Sequence, residues 1–447
     1  MPRPSKHVSP ETLGGRLRAA RQNLRLSLAE VAAGHYSTSL ISQIERNRVD
    51  PSEESLHFLA ERLELPLEEL IVLAQHHREV GDEARQYKHY EELRQEALQL
   101  LTHKDPHGAL ELLKGNNLSQ IPSSLRWRLA ALRGQCYFSL RQFLAAQKDF
   151  LYAVIERPEL VPPEHHLEAM TLHLHLAATH RELQQLEAAI EQFQAALSMM
   201  NHETQLGYVA ESQWGLALVA FEQAHKVSNG SDCTRARELQ LQVALKHAEN
   251  ASFLYRSIGK TLQAALLTCL IALIEQGLGN RDSARKHLQE LLDIWLPTLD
   301  ETQENTPAVQ GTLKERANVV SAAACALAGI ELEAGNLEKA QANAELAQRA
   351  GEMSYILRRA EAQMMLGRIL EASNGENPAA EQAFRGAIAE LASTDRVAAQ
   401  IRAHDFLGRH LLKKGETSPG EQELDEARQL SNLTSASGTT ISAEDRP

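Results

Sequence analysis

Ser37-Thr38-Ser39-Leu40-Ile41-Ser42-Gln43-Ile44-Glu45-Arg46-Asn47-Arg48-Val49-Asp50-Pro51-Ser52 places two chemistries on opposite sides of one short helix. Leu40, Ile41 and Ile44 recur at helical spacing and supply apolar contacts toward the protein. Ser39, Ser42 and Gln43 fall on the other side, and small hydroxyls and a carboxamide can enter a DNA major groove and hydrogen-bond base edges. The loop that follows is ended by Pro51, and Ser52 opens the next helix as its N-cap.

Working outward, the pattern predicts helices over 13–23, 27–34, 38–46, 53–63 and 67–73, the last opened by Pro66 at a first-turn position. Leu17, Val31, Ile41, Ile44, Leu56, Leu59 and Leu63 are expected to share one core. A net charge of -13 over 447 residues would argue against nucleic acid if it were spread evenly. Residues 1–51, however, hold eight Lys or Arg against four Asp or Glu, a balance of +4 that leaves -17 for the remainder. The basic end can approach phosphate; the acidic body should stay away.

Over residues 12–74 the chain resembles the Cro and phage-repressor (XRE-type) helix-turn-helix family. Ser27-Leu28-Ala29-Glu30-Val31-Ala32 resembles the family's second helix, residues 37–45 its recognition helix and residues 47–52 its exit loop. The resemblance implies a five-helix, lambda-repressor-like domain that binds double-stranded DNA. It puts Thr38, Ser39 and Gln43 where the family reads bases, and Ser42 shares their side of the helix. Ser27, Ser37, Arg46 and Arg48 are the candidates for the DNA backbone. Arg21 and Glu45 stand where the family pairs an arginine of the first helix with a glutamate ending the third. Three positions depart from the pattern. The turn 32–37 is one residue shorter than usual, Leu28 replaces a polar residue, often Gln, and Asn47 replaces a Gly. Asn is the next most tolerant residue of a left-handed helix end. The alternative is a small bundle that imitates the motif or has lost DNA binding.

Residues 75–92 read as a polar connecting segment, after which the sequence repeats at close to the 34-residue spacing of a tetratricopeptide unit. The clearest copy starts near Trp127 and carries Gly134-x-x-Tyr137, then Ala146-x-x-x-Phe150, Ala153 and Pro158. Small Gly134 and Ala146 let paired helices approach, while Tyr137 and Phe150 fill the space between them. Later copies are marked by Ala189, Phe193 and Ala196; by Gly279, Ala284, Leu288 and Leu291; by Gly335, Ala340, Ala344 and Ala347; by Gly367, Ala380 and Phe384; and by Gly408, Gly415, Leu424 and Ala427. A further unit, 207–258, is stretched by a polar loop at 228–234, and a second such loop is expected at 298–310. With a worn pair between Leu93 and Lys114, about eight helix pairs span 93–433, enough for a right-handed superhelix. The Ser-, Thr- and Ala-rich tail 434–447 is expected to be disordered. The alternative to repeats is a generic helical bundle whose Ala and Leu stripes are only core.

If the first helix of each pair lines the concave side, as in the tetratricopeptide family, the inner strip is mostly small or apolar. Ser212, Leu216, Cys269, Leu273, Gln276, Cys325 and Gly329 fall centrally, between Arg128 and Arg181 on one side and Arg368, Arg402 and Arg409 on the other. Such a groove would suit a short extended peptide whose carboxylate meets an arginine. Arginine on a repeat surface is more often solvated or ion-paired than a ligand anchor.

Aromatics make up only 4% of the chain and Ala, Leu, Gln and Glu dominate, so the fold class is expected to be all-α. Cys136, Cys233, Cys269 and Cys325 are scattered and form no Cys-x-x-Cys pair, which fits reduced thiols in a cytoplasmic protein. The apolar stretches 264–274 and 322–330 are too short for a membrane span, which needs about 20 residues. Ser257-Ile258-Gly259-Lys260-Thr261 imitates the end of a phosphate-binding loop but has Leu254 at the first glycine position. His173 and His175 lie two apart on a helix and point to different sides, and Asp105-Pro106 breaks a helix between His103 and His107. No metal, no cofactor and no catalytic constellation is expected. The order of domains is similar to that of peptide-responsive quorum-sensing regulators. That resemblance implies a homodimer whose repeats sense a peptide or protein ligand and reposition two DNA-reading helices. The alternative is a regulator or scaffold whose repeats bind a partner protein without peptide sensing.

Overall fold

The computed structural model describes residues 11–116, 118, 121–226, 231–299, 312–375 and 377–436. Among them every regular element is helical, and the chain divides into two compact units: Met1–Glu96 with Ser119–Leu125, and Ala97–Leu118 with Arg126–Pro447. No helix among the described residues is long and apolar enough to cross a membrane.

The first unit is built from α1 (Leu13–Asn23), α2 (Leu28–Ala32), α3 (Thr38–Ile44), α4 (Glu53–Leu63) and the start of α5 (Leu67–Thr102). All seven residues expected to share a core do so, joined by Leu13, Leu70 and Ala74. The helices start where hydroxyl side chains accept backbone N–H groups that have no partner in the helix. Thr12, Ser27, Ser37 and Ser52 accept from Gly15, Glu30, Leu40 and Ser55 in turn. Helices α2 and α3 are shorter than expected because Ala33 (φ 49°) and Asn47 (φ 51°) enter the left-handed region and close them.

The expected connecting segment 75–92 is instead continuous helix, part of the 36 residues of α5. Polar composition misleads here. The segment has no proline, is rich in good helix formers, and carries pairs one turn apart: Lys88 with Glu92 at 3.8 Å, Arg94 with Glu91 at 2.7 Å, and Asp82 with Arg85.

In the second unit the end of α5 pairs with α6 (Pro106–Lys114), capped by Asp105 with Pro106 in its first turn. Seven further pairs follow: α7 (Ser123–Ser139) with α8 (Phe143–Glu156), α9 (His166–Glu182) with α10 (Leu186–Met199), and α11 (Leu206–Lys226) with α12 (Ser231–Ser257). Then come α13 (Thr261–Gly277) with α14 (Arg281–Trp295), α15 (Leu313–Glu333) with α16 (Leu337–Glu352), α17 (Ile356–Ser373) with α18 (Pro378–Leu391), and α19 (Val397–Lys413) with α20 (Thr417–Ala436). Residues 231–234, read as loop, are the first turn of α12. Of the loop expected at 298–310, only 298–299 are described, as the end of a 3₁₀ turn; the remainder lies outside the described residues. The tail expected from 434 is helical to Ala436, and the rest of it lies outside the described residues.

Packing within a pair follows the small-against-large logic of the sequence. A Cβ on Gly134 of α7 would meet the Phe150 ring of α8 at 2.7 Å, so only hydrogen fits there. The markers Ala189, Phe193, Ala284, Leu288, Ala340, Ala344, Ala380 and Phe384 are all buried. Tight turns between partner helices place one residue in the left-handed region, Gly279 and Gly335 in two pairs but Arg141 and Gln184 in two earlier ones. Gly134→Val is therefore expected to cost about 1–3 kcal/mol by overpacking. Urea unfolding followed by the fluorescence of buried Trp127, in the same helix, would read it.

The array also returns on itself. Phe143, Leu183 and Val397 form one buried cluster with Phe138, Ile401 and Leu430, joining α7, α8 and α9 to the last pair, α19 and α20. The Leu144 amide donates to Asp395 at 3.5 Å, and Arg396 donates to Glu182 at 3.1 Å.

A candidate DNA-reading surface and a cavity in the repeat body

Helix α3 presents the expected two faces. Ile41 and Ile44 are each only 2% exposed and Leu40 packs on the same core. Thr38, Ser39 and Gln43 are exposed, with Ser42 half-buried between them. Gln43 Nε2 reaches Ser39 Oγ only at 3.5 Å, so both groups remain available to a base edge. Arg46 and Arg48 at the end of the helix are exposed.

Two contacts set the direction of α3 relative to α1. Arg21 Nε and Nη2 donate to the two carboxylate oxygens of Glu45 at 2.6 and 2.9 Å, while Arg21 Nη1 donates to the Leu26 carbonyl at 3.1 Å. Both side chains are largely buried, and the bond to Glu45 raises the Arg21 pKa above its ordinary value despite the cost of burial. The second contact is not legible in the sequence. Asn47 Oδ1 accepts the Gly14 amide at 2.8 Å and Asn47 Nδ2 donates to Thr12 Oγ1 at 3.0 Å. Asn47 thus tolerates the left-handed turn and also staples it to the start of α1. The approach is so close that a Cβ on Gly14 would lie 2.6 Å from the Ile44 carbonyl oxygen. Gly14→Ala is expected to cost about 1–3 kcal/mol, since a backbone oxygen cannot swing aside. Loss of amide protection in α1 and α3 by hydrogen exchange would register it.

Two phosphate candidates have structural duties that the sequence reading does not assign. Ser37 Oγ caps α3 through the Leu40 amide at 3.1 Å. Ser27 forms a reciprocal cap with Glu30: its Oγ accepts the Glu30 amide at 3.2 Å and its own amide donates to Glu30 Oε2 at 2.7 Å. Bonds from Ser27 hold the Glu30 carboxyl below its usual range. A phosphate approaching Ser27 therefore meets a carboxylate. The Ser-x-x-Glu signature at 27–30 is present in the sequence and is the signal for this. Leu28 packs partly against the core.

In the second unit a cavity of about 290 Å³ is lined by first helices of six pairs, from α9 through α19. Arg181, Cys269, Leu273 and Arg402 line it as expected from the inner strip. Ser212, Leu216, Gln276, Cys325, Arg128 and Arg368 do not. Ser212 is wholly buried with its hydroxyl donating to the Tyr208 carbonyl at 3.1 Å, and Leu216 packs into a core cluster. Cys325 donates to the Glu361 carbonyl at 3.7 Å. Arg128 is paired to Glu168, with Nη2 at 2.9 Å, and Arg368 stacks over Phe406 at 5.4 Å. Helical period alone is too coarse a guide here: residues one turn apart on a tilted helix can face core in one case and cavity in the other.

Arg181 is not free to anchor a ligand, because Glu182 and Glu222 both hold it, the latter at 2.9 Å. Burial opposes its charge, but those two carboxylates keep its pKa above the ordinary value. Sequence reasoning also misses Arg358, paired with Glu361 at 2.6 Å and Asn318 at 2.8 Å, and Arg396. Burial pushes the thiols of Cys269 and Cys325 up to about 12, so they stay protonated and unreactive at neutral pH. Among the described residues no cluster of His, Cys, Asp or Glu could hold a metal ion.

Residues 17–70 match a family model described as Helix-turn-helix. A comparison with curated proteins finds no match. Among solved structures, the chain is similar to a Rap protein complexed with competence and sporulation factor. The identity is 12%, coverage is 94% of this chain and 99% of that one, and the TM-score is 0.52. It also matches the apo form of the quorum sensor NprR from B. thuringiensis, at 11% identity over 77% and 99% of the two chains with a TM-score of 0.45. A third is Bacillus thuringiensis PlcR in complex with the peptide PapR7 and DNA, at 14% identity over 66% and 100% with a TM-score of 0.30. At its low identity the first likeness speaks for fold alone. The chain carries an XRE-type helix-turn-helix domain followed by a helical-repeat superhelix.

Proposed function

We propose that the protein is a sequence-specific DNA-binding transcriptional regulator whose repeat body dimerises and senses a peptide or protein ligand. The observation that carries the first part is the outward face of α3: Thr38, Ser39 and Gln43 are exposed, with Ser42 half-buried between them, while Arg21 and Asn47 hold the helix behind them. Those four residues read bases, and Arg46 and Arg48 meet phosphates, fixing register without reading sequence. The sensing part is supported by a cavity whose walls come from successive repeats. In a dimer, two copies of α3 must reach major grooves about 34 Å apart, so a small change in the repeat body decides whether both dock. A ligand shifts that balance only by binding one arrangement better than the other.

The test is a shift assay with selected duplex DNA and the full chain. Binding is expected to weaken steeply with salt, the logarithm of affinity falling linearly with the logarithm of salt concentration. Absence of binding to a duplex library at every salt concentration would sink the reading.

A further inference from the structure

One wall of the repeat-body cavity comes from the last helix pair, which packs back against α8 and the end of α9. Arg396, just before α19, and Arg402 in it both line the cavity. That part of the chain is held in place by the buried Phe143–Leu183–Val397 cluster, by the Arg396 bond to Glu182, and by Arg396 lying over the Phe143 ring at 5.9 Å. Across from it stand Trp214, Phe221, Leu266 and Leu273. The lining holds four guanidinium groups against three carboxylates. Arg181, Arg358 and Arg396 are ion-paired, whereas Arg402 is exposed and has no ion pair among the described residues.

We propose that this cavity takes a small amphipathic anion, its apolar part against Trp214, Phe221 and Leu273 and its negative group at Arg402, and that binding and closure of the repeat array are one equilibrium. The proposal rests on reading the repeat body as a sensor and narrows the size and charge of what is sensed. About 290 Å³ falls just under the roughly 300–1,000 Å³ of ligand pockets, room for a medium-chain acyl carboxylate or a very short peptide. A molecule that touches α19 on one side and α11 or α13 on the other contacts both walls only in the closed array. It therefore binds the closed form better and shifts the population toward it.

Calorimetric titration of the full chain with octanoate, and with octylamine as the cation of similar length, tests this. Octanoate is expected to bind at one site per chain and octylamine not at all. Arg402→Gln should weaken octanoate about tenfold, equivalent to ~1.4 kcal/mol. Val397→Asp, which loosens the latch, should abolish binding. A buried aspartate can also unfold the last pair, so a second variant carries Leu144→Cys with Asp395→Cys. Oxidised, and closed by the new disulfide, it should bind octanoate at least as tightly as the natural chain. Equal binding of the two probes, unchanged affinity in Arg402→Gln, or loss of binding on oxidation overturns the proposal. Octanoate binding as described but without effect on DNA affinity upholds the site and removes only the sensing role.

Discussion

Glu45→Ala is expected to destabilise the N-terminal domain by about 3 kcal/mol or more and to remove DNA binding with it. The Arg21 guanidinium is 15% exposed and bonded through two nitrogens to Glu45, itself 7% exposed. Truncating the carboxylate leaves a largely buried cation whose remaining acceptor among the described residues is the Leu26 carbonyl. That uncompensated charge, rather than the modest net worth of the pair, supplies the effect. A double replacement by apolar residues of similar volume, Arg21→Met with Glu45→Leu, should cost much less, since it buries no charge. Hydrogen exchange on the full chain separates the two, because it reads the opening free energy of α1 and α3 without relying on tryptophans, all three of which lie outside this domain. Unchanged protection of those helices in Glu45→Ala would show the pair to be ornamental.

The five helices of this domain are legible in the sequence because most begin at a hydroxyl cap and keep their apolar residues on one face; α1 and α4 run over the residues expected. The Arg21–Glu45 pair comes from the family resemblance, and its geometry agrees. What cannot be read is the second job of a residue already explained. Asn47 accounts for a left-handed turn, which hides its bonds to Gly14 and Thr12, contacts across more than thirty residues that no local pattern encodes. The repeats show the same limit. Ala and Phe at fixed offsets announce the pairs, yet the segment 75–92 looks like a linker when polarity is weighed above helix propensity and the absence of proline. The groove assignments fare worst, since the side chains that reach the cavity depend on helix tilt. Closure of the array through Phe143, Leu183 and Val397 depends on residues more than two hundred positions apart.

Gln43→Ala is expected to lower affinity for the natural operator by about 1–3 kcal/mol per half-site, and by about twice that if a dimer reads two half-sites. The Gln43 carboxamide is exposed, held among the described residues only by a 3.5 Å contact to Ser39, and can both donate to and accept from an adenine edge. Alanine can do neither, so discrimination at the base pair it faces should relax while other positions keep theirs. Arg46→Ala should behave differently. Removing a phosphate-binding cation lowers affinity nearly uniformly across sequences and reduces the salt slope by about one per phosphate, because fewer counterions are released. Measuring affinity for the operator and its single-base variants at several salt concentrations distinguishes the two. Should Gln43→Ala change the salt slope and leave base preference intact, α3 would lie along the backbone rather than in the groove, and the outward face of this helix would no longer argue for sequence readout.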